Sequence, residues 1–286
     1  MRFAKGHGTG NDFVILPDAD DRLELSPEVV ARLCDRRAGL GGDGVLRAVR
    51  CGASGAPAAG ATAGPQWFMD YRNADGSIAE MCGNGVRVFV RYLLDRGLAA
   101  GPQVEVATRA GTRRVREEAD GQLTVNMGAV IMLGTGSAEV GGLACAGVAL
   151  SVGNPHLACM VTEPVAGFDL SSPPVVDRAQ FPGGVNVELL RVTGERQIEM
   201  RVHERGSGVT MSCGTGAVAA AVAAAFAAGE WPAERARPWT VDVPGGRLAV
   251  TPGVTASLLT GPAVIVAEGN LDCAWLASPA PVSHVA

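Results

Sequence analysis

The chain has 286 residues, of which 47% are apolar and 5% are aromatic, with a formal net charge of −5 and a pI of about 5.4. This length fits one large domain or two of ordinary size, and the apolar content is enough for a sizeable core. The acidic balance argues against nucleic acid or an anionic membrane as partner, since both bind basic faces.

The first part of the chain predicts short strands and two helices. Ser26-Pro27-Glu28 is typical of a helix start, with Ser as N-cap and Pro in the first turn, and this helix is predicted to run to about Arg37. A longer helix over 82–96 is predicted to end before Gly97. Strands are predicted at 13–16, 45–49, 66–72, 103–108, 112–117 and 123–127, and a flexible surface loop over the Ala/Gly/Pro/Ser-rich segment 51–65.

The second part repeats this pattern of short strands around one long helix. The helix is predicted over 213–228 and contains almost only Ala and Val, without a polar stripe. A helix that is apolar all round is a buried helix, so we expect a sheet to wrap around it. Strands are predicted at 143–152, 157–161, 185–193, 198–203, 240–243, 247–251 and 264–267. The fold class is therefore predicted to be α+β with mainly antiparallel pairing.

Two cysteines, 131 residues apart, each open a glycine-rich turn and then a helix. Cys82 begins Cys-Gly-Asn-Gly and Cys213 begins Cys-Gly-Thr-Gly, and nine residues before them Asn73 and Glu204 end predicted strands. A helix N-terminus attracts anions and lowers the pKa of a nearby thiol. The duplication therefore predicts two similar halves, each with one thiol, which suits a racemase or epimerase that works without a cofactor. The plainer alternative is a repeated structural turn with buried cysteines.

Other motifs are less specific indicators of function. The segment Gly39–Gly44 matches the dinucleotide glycine pattern, but it follows a predicted helix and precedes a predicted strand, which is the wrong context. Gly153-Asn154-Pro155-His156 is typical of a turn, and His156 could in addition act as a base toward a thiol. No His lies in metal-ligand spacing with a Cys or a carboxylate, so we expect no metal.

The seven cysteines predict free thiols rather than a disulfide scaffold. Their number is odd, the chain is long, and no Cys-x-x-Cys pair occurs. The first residues contain no apolar run of signal-peptide length, and no apolar stretch reaches the ~20 residues that span a bilayer. We therefore expect a cytoplasmic protein of a reducing compartment that makes no membrane contact.

The ordered motifs of the chain resemble those of the diaminopimelate epimerase family, and the resemblance covers nearly the whole chain. The residues that carry it are His7-Gly8-Thr9-Gly10-Asn11-Asp12-Phe13, Asn73-Ala74-Asp75-Gly76-Ser77, Glu80-Met81-Cys82-Gly83-Asn84-Gly85, Gly153-Asn154-Pro155-His156, Gly184-Val185-Asn186-Val187, His203-Glu204-Arg205-Gly206 and Ser212-Cys213-Gly214-Thr215-Gly216-Ala217. The chain departs from the familiar pattern at Gly44, where some members carry Gln, and at Val209, where Glu is usual.

The resemblance implies two pseudo-symmetric domains, each a mainly antiparallel sheet wrapped around a central helix, over 1–126 plus 262–286 and over 127–261. It implies a homodimer that interconverts LL- and meso-2,6-diaminopimelate for lysine and peptidoglycan precursors, with a small amino acid as ligand and no cofactor. By this resemblance Cys82 and Cys213 are the two acid/base residues, with His156 and Glu204 as their partners. The substrate-binding residues it implies are Asn11, Asn73, Gly83, Asn84, Asn154, Asn186, Glu204, Arg205, Gly214 and Thr215.

Two other functions remain open at this point. The chain could be a related racemase, independent of pyridoxal phosphate, that acts on another amino acid. It could also be a non-catalytic redox or binding protein in which the two thiols form a reversible disulfide. Turnover of substrate separates the enzymes from the second alternative.

Overall fold

The structure is a computed structural model that describes residues 1–53, 56, 64–232 and 236–277. The helices of this part of the chain are α1 (Pro27–Cys34), α2 (Gly83–Asp95), α3 (Gly214–Ala227) and α4 (Cys273–Ala277). Its strands are β1 (Arg2–Gly8), β2 (Asn11–Pro17), β3 (Gly44–Arg50), β4 (Trp67–Asn73), β5 (Gln103–Thr108), β6 (Gly111–Glu117), β7 (Leu123–Gly128), β8 (Ile131–Val140), β9 (Leu143–Ser151), β10 (Pro155–Met160), β11 (Val175–Val176), β12 (Asn186–Gly194), β13 (Gln197–Glu204), β14 (Gly208–Thr210), β15 (Trp239–Val243), β16 (Gly246–Thr251), β17 (Ser257–Gly261) and β18 (Val264–Asn270).

The contacts divide the chain into two compact units. Unit 1 comprises Met1–Gly8, Asp12–Val115 and the described chain from Ala263 onward, and unit 2 comprises Thr9–Asn11 and Arg116–Pro262. Each unit combines short strands with one long helix that begins directly after a cysteine. The predicted α+β class is confirmed.

Unit 1 is built around α2. Strand β2 pairs in parallel with β3, β3 pairs antiparallel with β4, β4 pairs in parallel with β5, and β1 pairs antiparallel with β18. Helix α2 packs against β1, β3, β4, β5 and β18 and buries nearly all of its first ten residues. The strand and helix order therefore places the end of β4, at Asn73, shortly before the N-terminus of α2.

Unit 2 surrounds α3 with strands. Antiparallel pairs join β8, β9 and β10, a parallel pair joins β10 to β12, and the run continues through β13, β15, β16, β17 and β7. Helix α3 packs against β9, β10, β12, β13, β15, β16 and β17, and its Ala and Val side chains from Ala217 to Ala225 are buried on every side. The expectation that a sheet wraps around this apolar helix is confirmed.

The predicted elements are found, with one helix shorter than expected. Ser26 caps α1 through a hydrogen bond from the Val29 N–H, but α1 ends at Cys34 rather than near Arg37. The carboxylate of Asp35 accepts the N–H groups of Arg37 and Ala38, which replaces helical hydrogen bonds by a turn. Most of the predicted loop 51–65 lies outside the described residues. Strands β1, β8, β11, β14 and β17 were not predicted.

None of the helices in the described ranges combines the length and the apolar character needed to cross a bilayer.

Candidate active site

The first half-site, which we define as Asn73 and the helix start Cys82–Arg87, lies in unit 1. Cys82 is the N-cap of α2, with extended backbone angles, and its Sγ atom accepts the N–H of Gly85 at 3.3 Å. A thiol in this position takes the place of the usual Ser or Asp cap and lies at the positive end of the helix dipole. The local sequence favours the cap, because Gly83 and Gly85 carry no side chains that would crowd the Cys82 sulfur in the first turn.

This helix start contains a buried arginine, Arg87. Arg87 is completely inaccessible to solvent, and its Nη1 and Nη2 atoms donate to the carbonyl of Gly83 at 3.2 Å and to Oδ1 of Asn84 at 2.9 Å. Asn84 is itself fully buried. The guanidinium thus fixes the backbone and one side chain of the turn that Cys82 opens.

Asn73 organises the turn that leads from β4 toward this helix. Its Nδ2 donates to Oγ of Ser77 at 2.9 Å, and its Oδ1 accepts from the hydroxyl of Tyr71 at 2.8 Å. The strand ends at Asn73 as the sequence predicted.

The second half-site, which we define as Asn154, His156, Asn186, Glu188, Glu204, Arg205 and the helix start 213–216, lies in unit 2. Cys213 caps α3 in the same manner as Cys82 caps α2, and its Sγ accepts the N–H of Gly216 at 3.4 Å. The hydroxyl of Thr215 lies 3.5 Å from the same sulfur. The predicted duplication of a cysteine cap before a glycine-rich helix start is confirmed.

The surroundings of Cys213 favour the neutral thiol. Burial raises the pKa of this thiol well above its usual value, and the carboxylates of Glu204 and Glu188 raise it further. Glu204 ends β13 and accepts a hydrogen bond from the Thr210 hydroxyl at 2.5 Å. A thiol next to these acids keeps its proton until a stronger base removes it.

His156 forms a buried cluster with two neighbours. Its Nδ1 lies 2.7 Å from Oε1 of Glu188, and its Nε2 lies 2.9 Å from Oδ1 of Asn154. Because both partners are oxygen atoms, Nε2–H donates to Asn154 and one proton is shared between Nδ1 and Glu188. Burial raises the pKa of Glu188, while His156 opposes that shift. Within unit 2, His156 is therefore linked to Cys213 through Glu188.

The remaining predicted site residues of unit 2 lie at or next to the ends of strands. Asn186 begins β12 opposite His156 of β10, and its Oδ1 accepts the N–H of Arg205 at 2.8 Å. The Arg205 side chain donates to the carbonyl of Gly183 at 2.9 Å. Asn11 is buried and belongs to the short stretch of unit 2 near the start of the chain.

The predicted site residues are thus divided between the two units. Unit 1 holds Asn73, Cys82, Gly83 and Asn84, and unit 2 holds Asn11, Asn154, His156, Asn186, Glu204, Arg205, Cys213, Gly214 and Thr215. Sequence reasoning missed Arg87 and Glu188. Each interrupts an otherwise apolar stretch, but this local pattern does not show whether the charge is buried.

No cluster of three or more His, Cys, Asp or Glu residues suited to a metal ion occurs in the part of the chain that the structure describes.

The comparisons with known proteins identify the family of the chain. The family model "Diaminopimelate epimerase" matches residues 3–133 and 148–266. A diaminopimelate epimerase of Thermobifida fusca is 58% identical over 95% of this chain and 98% of its own length, and one of Mycolicibacterium smegmatis is 50% identical over 96% and 98%.

The fold is also that of more distant proteins. A crystal structure of a Bacillus anthracis phenazine biosynthesis protein of the PhzF family matches with a TM-score of 0.69 at 16% identity, covering 94% of this chain and 98% of that one. The family match and the high identity to the relatives over nearly the whole chain establish membership: the chain belongs to the diaminopimelate epimerase family, whose members are isomerases.

Proposed function

We propose that this epimerase interconverts LL- and meso-diaminopimelate by a two-base mechanism in which Cys82 and Cys213 are the acid/base residues. One cysteine, as thiolate, removes the proton from the α-carbon, and the other, as thiol, delivers a proton to the opposite face of that carbon. The proposal rests mainly on one observation, that both cysteines cap the N-terminus of a buried helix through the same Sγ···H–N contact.

The helix starts supply the electrostatic help that this reaction needs. An α-proton is only weakly acidic, so negative charge that moves into the carboxylate must be stabilised as the proton leaves. Backbone N–H groups that point out of the first turn of a helix do this without reorganising. We assign this role to Gly83 and Asn84 on α2 and to Gly214 and Thr215 on α3.

The second half-site supplies the proton in one direction. The raised pKa of Cys213 keeps it as the thiol, so Cys213 is the acid when Cys82 is the base. Glu204 acts on Cys213 directly, and His156 acts on it through Glu188. We assign binding of the polar groups of the substrate, including its non-reacting amino-carboxylate end, to Asn11, Asn73, Asn154, Asn186, Glu204 and Arg205.

We also propose that the enzyme needs neither pyridoxal phosphate nor another cofactor and that it forms a homodimer. It would act in the cytoplasm, in the synthesis of lysine and peptidoglycan precursors. Exclusion of water around the bound substrate would strengthen every electrostatic contact with it.

The test is turnover by the reduced protein. LL-Diaminopimelate is incubated with enzyme that has been treated with a chelator and with a carbonyl-trapping hydroxylamine, and the meso isomer is measured by chiral chromatography. We expect full activity after both treatments. Loss of activity after treatment with either reagent would contradict the cofactor-independent mechanism. Epimerisation of proline but not of diaminopimelate would show that the enzyme acts on a different amino acid.

A further inference from the structure

The buried arginine of α2 has no anionic partner of the usual kind. Arg87 is fully inaccessible, its two terminal nitrogens donate to neutral oxygens, and its Nε has no hydrogen-bond partner. Among the described residues, no carboxylate forms an ion pair with it. A buried cation without a counter-charge is costly, since burial removes its hydration and neutral acceptors replace only part of it.

The acids near this helix are engaged elsewhere. The elements that pack against α2 carry the ionisable residues Arg2, Lys5, His7, Arg47, Arg50, Asp70, Tyr71, Arg72, Glu105 and Glu268, and α2 itself carries Arg91, Tyr92 and Asp95. Asp70 pairs with three other arginines. Glu105 pairs with Arg114, Glu268 with Arg96 and Asp95 with Arg91.

The anion that can satisfy Arg87 is the thiolate of Cys82, because the guanidinium contacts Gly83 and Asn84, the two residues that directly follow this cysteine. Burial lowers the pKa of Arg87 to about 10, and the negative charge of Cys82 is the influence that opposes this fall. The interaction is reciprocal, so a guanidinium that a thiolate stabilises must stabilise the thiolate to the same extent.

The duplicated half gives a natural comparison. Arg87 lies five residues after Cys82, and the residue five after Cys213 is Val218, which is also fully buried. The same position of the same helix start is therefore apolar in unit 2, where the carboxylates of Glu188 and Glu204 act on the thiol instead. The fold accepts an apolar side chain there, so a stability requirement common to both helices does not explain a charge at residue 87.

We propose that Arg87 is a positioning residue whose guanidinium is the built-in counter-charge of the Cys82 thiolate and also orients the Asn84 side chain in the first turn of α2. The proposal rests on the role assigned to Cys82 above. It makes the two half-sites chemically unequal in the free enzyme, with the cation at Cys82 and the acids at Cys213.

The test measures the thiol rather than turnover. Full-length protein is alkylated with iodoacetamide across a pH series, and the rate at Cys82 is followed by peptide mass spectrometry in the wild type, in Arg87→Met and in Arg87→Lys. We expect the midpoint of Cys82 reactivity to rise by about one to three pH units in Arg87→Met, the usual effect of a close opposite charge. Arg87→Lys should keep much of the wild-type midpoint, because it keeps the charge.

The matched control is Arg91→Met, one turn further along α2, where the side chain pairs with Asp95. This variant should leave the Cys82 midpoint unchanged. An unchanged midpoint in folded Arg87→Met would overturn the proposal, as would an equal shift in the control. A shifted midpoint in an enzyme that fails to epimerise diaminopimelate would support the pairing and count only against the proposed function.

A second measurement does not alter Arg87 and so applies if its variants fail to fold. If Arg87 stabilises the thiolate, the melting temperature of the wild type should rise relative to that of Cys82→Ser as the pH increases from 6 toward the pKa of an unfolded thiol, about 8.5. A constant difference over this range would overturn the proposal.

Discussion

Nδ1 of His156 and Oε1 of Glu188 lie 2.7 Å apart, and neither side chain is accessible to solvent. The other ring nitrogen of His156 faces Oδ1 of Asn154. The ring is thus fixed at both ends by residues from β12 and from the turn before β10. Its orientation and its proton depend on Glu188, which in turn acts on Cys213.

Replacement of Glu188 by Gln tests this dependence. The amide keeps the size of the side chain but removes its charge, so we expect kcat to fall at least tenfold, in line with the ~1.5–3 kcal/mol of a hydrogen bond to a charged group. The pH profile of kcat should also move, and the ¹⁵N shifts of the His156 ring should show a changed proton distribution. Glu199→Gln, which alters a carboxylate paired with Arg191 on β12, is the control and should retain activity. Unchanged kcat and unchanged ring shifts in Glu188→Gln would show that His156 does not depend on the charge of Glu188.

The first turns of the two helices provide a matched pair of glycines. A Cβ at Gly216 would lie 2.7 Å from Oε1 of Glu188, whereas a Cβ at Gly85 would meet its nearest neighbours at 3.3 Å. Because Glu188 is buried and bonded to His156, it cannot move without breaking that contact. We expect Gly216→Ala to lower kcat clearly more than Gly85→Ala, with circular dichroism to confirm folding. The reverse order would show that the Glu188–His156 contact does not limit activity.

The raised pKa of Cys213 predicts a stability effect at alkaline pH. A group whose folded-state pKa is raised contributes stability below its unfolded value, and that stability is lost as the pH rises through the folded value. Above about pH 8.5 the wild type should therefore lose about 1.4 kcal/mol per pH unit relative to Cys213→Ser. Urea unfolding of both proteins between pH 7 and pH 10 measures the difference. Parallel curves would contradict the pKa shift.

A buried carboxylate holds the sheet of unit 1 together. Asp70 is inaccessible and forms ion pairs with Arg47, Arg72 and Arg109 at 2.5–3.4 Å. These partners lower the pKa of Asp70. Asp70→Asn removes the common counter-charge of three arginines, so we expect a loss of about 3–5 kcal/mol in the free energy of unfolding.

The depressed pKa of Asp70 also sets the pH window of this contribution. It is present above the unfolded value near 3.9 and is lost as the pH falls through the lower folded value. Urea unfolding checks both points, with Asp95→Asn as the control. That control breaks a half-exposed pair on α2 and should change stability by less than about 1 kcal/mol. Equal losses in the two variants would contradict the account.

The sequence was sufficient to predict the elements that carry strong local signals. Ser26-Pro27 begins α1, and the apolar run after Cys213 forms the buried helix α3. Strand β1 was missed because Lys5, Gly6 and His7 interrupt its apolar pattern, and β8 was missed because Gly134, Gly136 and Ser137 resemble a loop. Strand β1 forms by pairing with β18, which is distant in the chain, and β8 forms by pairing with the adjacent strand β9. The local sequence pattern does not reveal either pairing.

The two cysteine caps were predictable because the motif occurs twice, whereas their charged neighbours were not. Glu188 alternates with Val187 and Leu189 on β12, which is typical of a polar outer face, but that face is covered by α3. Arg87 has the spacing of a solvent-exposed helix residue, and its burial comes from the strands packed on α2. Charges whose burial depends on tertiary packing require the structure.

The measurement that tests the central claim most directly is incorporation of solvent deuterium at the α-carbon of LL-diaminopimelate by wild type, Cys82→Ser and Cys213→Ser. Serine keeps a capping oxygen at each helix start, so both variants should fold. The account predicts deuterated meso product with the wild type and loss of epimerisation in each single variant. Epimerisation at the wild-type rate in either folded variant would contradict the two-cysteine mechanism.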